Sequence, residues 1–139
     1  MIVLDTNVLS ELMKPAPAGS VMRWMASQPA TSLYTTSITQ AAIPHRVMLL
    51  PPGRRRNAVA AAADAMFKED FGGRILPFGS DAAQPYARIA ADRRRSGRPI
   101  SHFDAQIAAI ARATGAAIAT RNVTDYHECG VKVINPWDA

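Results

Sequence analysis

One cysteine, Cys129, stands in the 139-residue chain, so neither an internal disulfide nor a zinc site built on several thiolates is available. That usage suits a reducing compartment, and Cys129 itself reads as an inert residue near a turn. Aromatic residues make up only 6% of the chain, which predicts a core of Ala, Ile, Leu, Val and Met. No apolar run is long enough to span a bilayer, and the apolar start meets a charge at Asp5, so neither a membrane segment nor a secretory leader is expected. A cytoplasmic protein is the expectation. No glycine-rich phosphate loop of the Walker type is present, and no Lys follows a late strand, which weakens a phosphoryl-transfer or receiver-like reading. The histidines include no pair at ligand spacing, so a histidine-built zinc site is not expected and His102 reads as a polar surface residue. One further absence is local: no acidic residue occurs from Leu12 to Ala63.

What is present is a basic, alanine-rich chain of single-domain length, read as one domain over residues 1–139. Sixteen basic against eleven acidic residues give +5, which favours an acidic or phosphate-bearing partner. Arginines cluster at Arg54-Arg55-Arg56 and at Arg93-Arg94-Arg95 with Arg98, and Arg93, Arg94 and Arg98 are candidates for RNA contact. A solvated helix face is the alternative for either cluster.

Strands are predicted at 2–4, 32–36, 74–78, 117–120 and 132–134. Helices are predicted at 7–13, 20–28, from Ser37 onward, 57–71, 81–95 and 101–113. The helix at Ser37 carries Gln40 three residues on, the spacing of a capping box, and Pro44 is expected to kink or break it. Pro85 is tolerable if it lies in a first turn. Phe103, Ile107, Ile110 and Ala111 fall on or near one face of the helix at 101–113, and Val47, Met48 and Leu49 suit either the core or a dimer interface. Strands alternating with helices predict an α/β fold: a parallel sheet of about five strands with helices on both faces, and ligands beyond the carboxyl ends of the strands.

At those strand ends stand three carboxylates from distant segments. Asp5 ends the first strand, where an ionised group is costly to bury unless it is paired, bound to a cation or capping the next helix. Thr6 and Asn7 beside it could orient the carboxylate or cap that helix. Asp104 follows Ser101 by three residues, so it could complete a capping box or point into a cleft. Asp125 sits with Thr120 and Asn122 in a polar run after the fourth strand, which could also be a simple turn. Gathered together, Asp oxygens are hard ligands suited to Mg²⁺ or Mn²⁺. Such an ion among basic residues suggests phosphodiester chemistry.

The stretches "MIVLDTNVLSE", "YTTSITQA", "RPISHFDAQIAAIA" and "ATRNVTDYHECGVKVINPW" resemble the successive motifs of PIN-domain ribonucleases, in order and over nearly the whole chain. The likeness is strongest to toxins of VapBC-type toxin–antitoxin pairs, in the FitB-like branch. The resemblance implies a three-layer α/β/α fold and a Mg²⁺- or Mn²⁺-dependent endoribonuclease acting on RNA. It also implies a homodimer neutralised by a small VapB-type antitoxin. Asp5 matches the first acidic position and Asp104 the third, while the fourth falls on Asp125 with Thr120 and Asn122 as polar supports. The second family position, a Glu on the helix after strand two, falls on Ala42. An inactivating replacement and natural decay would both leave this pattern, and either predicts an impaired nuclease. The rival expectation is a catalytically silent PIN-fold module that binds an antitoxin, nucleic acid or both.

Overall fold

β1 (Ile2–Leu4), β2 (Leu33–Thr36), β3 (Ile75–Leu76), β4 (Ala117–Ala119) and β5 (Val133–Ile134) form one sheet in a computed structural model that describes residues 1–139. Their order is β3-β2-β1-β4-β5 and every neighbouring pair is parallel. Central β1 and β4 run in register with Val3 opposite Ile118 and Leu4 opposite Ala119. Alternation along these strands divides the core in two. Val3 and Ile118 face a cluster with Ile89, Ile107, Ile110 and Tyr126, while Leu4 and Ala119 face a second with Val8, Leu9, Trp24 and Phe67.

The first cluster lies under α5 (Ser80–Arg95) and α6 (His102–Thr114). The second lies under α1 (Thr6–Leu12), α2 (Gly19–Ala26), α3 (Ser37–Met48) and α4 (Arg54–Ala65). This is the expected sheet covered on both faces, a three-layer α/β/α domain. Its core departs from expectation in one respect: Trp24, Phe67, Phe71 and Tyr126 are all buried, whereas of the methionines only Met66 is. The scarce aromatics are spent on the interior, where each covers much apolar area.

Several local expectations shift. Thr36, not Ser37, caps α3, its hydroxyl accepting from the Thr39 amide at 3.2 Å, while Gln40 is exposed. Pro44 lies within α3 without ending it, because Gln40 and Pro44 both sit on the exposed face and water can serve the carbonyl that loses its helical partner. Pro85 is also inside α5, beyond its first turn. The alanine-rich helix begins at Arg54 and continues into a π-helical turn, Met66–Asp70, whose wider winding places Met66, Phe67 and Phe71 in the core. Gly72 is required there, since a Cβ would fall 2.6 Å from the Lys68 carbonyl oxygen. Val47 joins the core, but Met48 and Leu49 project into solvent at 66% and 72% exposure.

One side chain holds together the part of the chain that leads into and out of α6. Arg93, near the end of α5, is buried. Its Nε donates to the Arg98 carbonyl at 2.7 Å, and one terminal nitrogen donates to the Asp125 and His127 carbonyls at 2.8 and 3.0 Å. The same nitrogen lies 3.5 Å from the buried Cys129 Sγ. The expected RNA contact by Arg93 is therefore corrected: its fork is consumed by backbone oxygens and is not presented to a ligand. Arg94 and Arg98 remain exposed. Replacing Arg93 with Ala strips a charged donor from all three carbonyls and should cost about 2–3 kcal/mol. A lowered urea midpoint reads this out, and Arg93→Lys should not restore it because one ammonium cannot reproduce the fork. An unchanged midpoint in Arg93→Ala would remove the strap.

Candidate active site

Beyond the carboxyl ends of β1 and β4 opens a small polar cleft lined by Asp5, Thr6, Asn7, Ala42, Asp104, Asn122 and Asp125, with Ile38, Arg46, Ser101, Phe103 and Ile107. Larger, more apolar hollows lie between α3 and α4 and beside α1, but only this cleft contains the strand-end carboxylates.

Asp5 caps α1. Its Oδ1 accepts from the Thr6 amide at 2.8 Å, and its Oδ2 accepts from the Thr120 hydroxyl at 2.8 Å and more weakly from the Asn7 amide at 3.4 Å. Capping and site-lining, alternatives on sequence grounds, thus coincide in one residue. Asn7 also donates to Thr120 at 3.1 Å and accepts from the Arg121 amide at 3.2 Å, tying the start of α1 to the end of β4. The Asn122 amide donates to the Thr120 hydroxyl oxygen at 3.1 Å. Thr6 reaches across to α3, its hydroxyl 3.0 Å from that of Thr39. The polar residues around Asp5 therefore act as its scaffold.

Asp104 enters from the first turn of α6, where Ser101 caps the helix by accepting from the Asp104 amide at 3.1 Å. Its Oδ1 accepts from the buried Tyr126 hydroxyl at 3.1 Å. Tyr126 was not singled out from the sequence. It follows Asp125 by one position, but its residue type looks like ordinary core, and only the folded chain turns its hydroxyl toward the carboxylates. Asp125, on a 3₁₀ turn at Val123–Tyr126, lines the cleft but stays exposed. No three acidic side chains converge closely enough to form a ready-made metal-ligand cluster. Asp5, Asp104 and Asp125, expected as one ligand set, line one cleft but do not form such a cluster, and Asp125 is the exposed member at its rim. The reason is local: Arg93 pins the Asp125 carbonyl, which fixes this turn by its backbone.

Burial pushes the Asp5 carboxyl above its usual range, and the Asp104 charge adds to that rise, against the hydrogen bonds from Thr120 and Thr6. Burial likewise raises Asp104, with Asp125 adding repulsion and hydrogen bonds from Ser101 and Tyr126, together with the Arg93 charge, opposing it. Burial and the two carboxylates push the Tyr126 phenol far upward, so it stays a donor. Neither Asp5 nor Asp104 has a cationic side chain in ion-pair contact; the ion pairs in the protein are Glu11–Lys14, Asp64–Lys68 and Asp92–Arg95. Buried Glu11 makes the contrast, since Lys14 and the Ala18 amide satisfy it at 2.9 and 3.0 Å. The cleft thus holds two crowded carboxylates with hydrogen bonds but no ion-paired cation, Arg93 acting on Asp104 only at a distance and Arg46 lining the wall unpaired, a donor set that fits a hard divalent cation. Magnesium requires only one or two protein carboxylates and keeps water for the rest.

A carboxyl raised by folding binds its proton more tightly in the native than in the unfolded state, so its stabilising contribution is present at low pH and lost as pH rises through the native value. Asp104→Asn keeps an acceptor for Tyr126 and removes the charge. The variant should melt higher than the parent at pH 7, by no more than a few °C for a half-exposed carboxyl, with the gain shrinking as pH falls through the raised native carboxyl range. Calorimetry across that range checks this; a pH-independent difference would show that charge burial is not the cause.

The PIN domain family model matches residues 2–124. Among related proteins, the VapC ribonuclease Y4jK of Sinorhizobium fredii is 38% identical, with 99% of each chain covered. The toxin FitB of Neisseria gonorrhoeae is 36% identical, again with 99% of each covered. In the crystal structure of FitAcB from Neisseria gonorrhoeae, a chain 35% identical superposes with a TM-score of 0.93 over the whole of both chains. No helix of the present chain is long and apolar enough to cross a membrane. With a family model spanning most of its length and relatives aligned end to end, the chain belongs to the PIN-domain family.

Proposed function

We propose that this protein derives from a Mg²⁺- or Mn²⁺-dependent endoribonuclease toxin of the VapBC type, and that Ala42 leaves its catalytic site incomplete. The observation that carries the reading is that buried Asp5 and half-buried Asp104, each raised by burial and neither ion-paired to a cation, line one cleft whose α3 wall presents Ala42. A divalent ion bound by these carboxylates would supply Lewis-acid polarisation of a phosphoryl oxygen and a water of lowered pKa.

The chain's own residues have distinct parts in this scheme. Asp5 and Asp104 provide the anionic oxygens. Thr120 and Asn7 hold Asp5 in one orientation, and Tyr126 does the same for Asp104. Asp125 adds negative charge at the rim. Ala42 contributes a methyl group where the family places a carboxylate, so one donor that would ligate or orient water is missing. A positioned acid–base group is worth about 10²–10⁴-fold, so RNA cleavage should be reduced on that scale.

The relatives named as ribonuclease and toxin support an antitoxin of the VapB type as partner. Exposed Met48 and Leu49 on one end of α3 support a homodimer. The second reading, a silent PIN-fold module acting through antitoxin or nucleic-acid binding, is favoured by Ala42 itself and by exposed Arg94 and Arg98.

Ala42→Glu should restore RNA cleavage dependent on Mn²⁺ or Mg²⁺ by about 10²-fold or more and make expression harmful to the host. Adding Asp5→Asn to the revertant should abolish both cleavage and Mn²⁺ binding measured by titration calorimetry. A folded revertant that cuts no RNA with either ion would overturn the nuclease reading and leave the silent module.

A further inference from the structure

Two cleft residues are unused by the scheme above. Phe103, in the first turn of α6, is 64% exposed although Ile107 and Ile110 of the same helix are buried. The sequence pattern assigned it to the core stripe; the structure instead leaves it on the cleft wall beside Asp104. The other large exposed apolar side chains are Met1, Met22, Met48 and Leu49, and none of them lines this cleft. A singly exposed apolar ring is ordinary; what sets Phe103 apart is its place in a concave polar cleft beside the carboxylates.

Arg46 lies one turn beyond Ala42 on α3, is exposed, and lines the same cleft. It makes no ion pair with any of the three carboxylates, so its guanidinium donors are free rather than employed in neutralising the cleft. One concave surface thus combines an aromatic face, a free planar cation and two crowded carboxylates. An incoming cationic peptide would suit the carboxylates but be opposed by Arg46. A nucleotide suits all three: the base for the ring, a phosphate for the guanidinium, and the carboxylates for a metal at a neighbouring phosphate. A base within a duplex is already stacked on both sides and cannot offer its face.

We propose that Phe103 and Arg46 form a subsite for single-stranded RNA at the mouth of the carboxylate cleft, Phe103 stacking an unpaired base and Arg46 holding an adjoining phosphate. This rests on the nuclease reading for the nature of the ligand and narrows it to RNA with unpaired bases at the cleaved position. The absence of the acid at position 42 is an advantage for the test, because RNA can be bound without being cut.

The probe is a fluorescein-labelled 12-nucleotide single-stranded RNA of mixed sequence, alone or annealed to its complement, titrated into the unmodified chain in EDTA and followed by anisotropy. The single strand should bind about 10-fold or more tightly than the duplex. Phe103→Ala should weaken single-strand binding by roughly 5- to 100-fold, the range of one lost stacking contact. Phe103→Trp should keep the affinity, and its added indole fluorescence should be quenched by the RNA. Arg46→Ala should weaken binding and reduce the salt slope by about 0.7, the share of one phosphate contact on a single strand. Equal affinity for the two RNA forms, or undiminished binding by Phe103→Ala, would overturn the subsite. So would a Phe103→Ala chain that keeps RNA affinity but loses self-association, which would assign the ring to a protein contact. Because the titration is metal-free and requires no turnover, its failure is separable from failure of the Ala42→Glu revertant to cleave.

Discussion

The buried carboxylate of Asp5 is the constraint around which the functional end of this fold is arranged. A parallel sheet covered on both faces has apolar strands, and β1 delivers an acidic side chain at the point where that apolar environment ends. Unpaired, such a group would cost several kcal/mol. The chain answers with the Thr6 amide, the Thr120 hydroxyl and the Asn7 side chain, drawn from two segments at opposite ends of the sequence. Satisfying Asp5 therefore also locks the start of α1 to the end of β4. What these contacts omit is a positive charge, and that omission separates a structural acid such as Glu11 from a site.

A second constraint works from the other side of the sheet. Arg93 gathers the carbonyls of Arg98, Asp125 and His127. It thereby fixes both the loop that leads into α6, which carries Asp104, and the turn that carries Asp125 and Tyr126. The Tyr126 hydroxyl then reaches back to Asp104. A charge that on sequence grounds suited an external phosphate is used internally, to hold acidic residues where they repel one another. Its delocalised cation is well matched to several carbonyls at once.

The sheet was legible because its signals are local and redundant. Ile2-Val3-Leu4 and Ala117-Ile118-Ala119 are apolar runs bounded by polar residues, and alternation with helices leaves few topologies. The helix ends were less legible: Thr36 and Ser37 are adjacent hydroxyl residues, each with a possible partner three positions on, and only the backbone decides which one caps. Pro44 misled because its cost depends on whether the orphaned carbonyl meets water, which the sequence does not state. Asp5, Asp104 and Asp125 could be placed at one edge from topology and Ala42 only from the family resemblance, and all four line the same cleft. Tyr126, Arg46 and Phe103 could not be found, because the orientation of a side chain relative to a cleft is set by long-range packing. Arg93 failed for the same reason, since nothing in a run of three arginines indicates which one points inward.

On the proposed reading, position 42 is one where the fold tolerates the absence of a catalytic acid. Asp5 caps a helix and bridges two segments, and Asp104 stands in a capped first turn and receives Tyr126, so each is bound into the fold. Residue 42 has no such tie: it is half-buried on the cleft wall of α3, and alanine is the best helix former available there. A carboxylate at 42 would join a cleft where burial already raises two acids, so in the absence of a cation its removal relieves repulsion rather than breaking a contact. Stability and chemistry therefore pull in opposite directions at this one site. On the reading proposed above, Asp5 and Asp104 each carry a structural role beside the chemical one, whereas an acid at position 42 would serve catalysis alone.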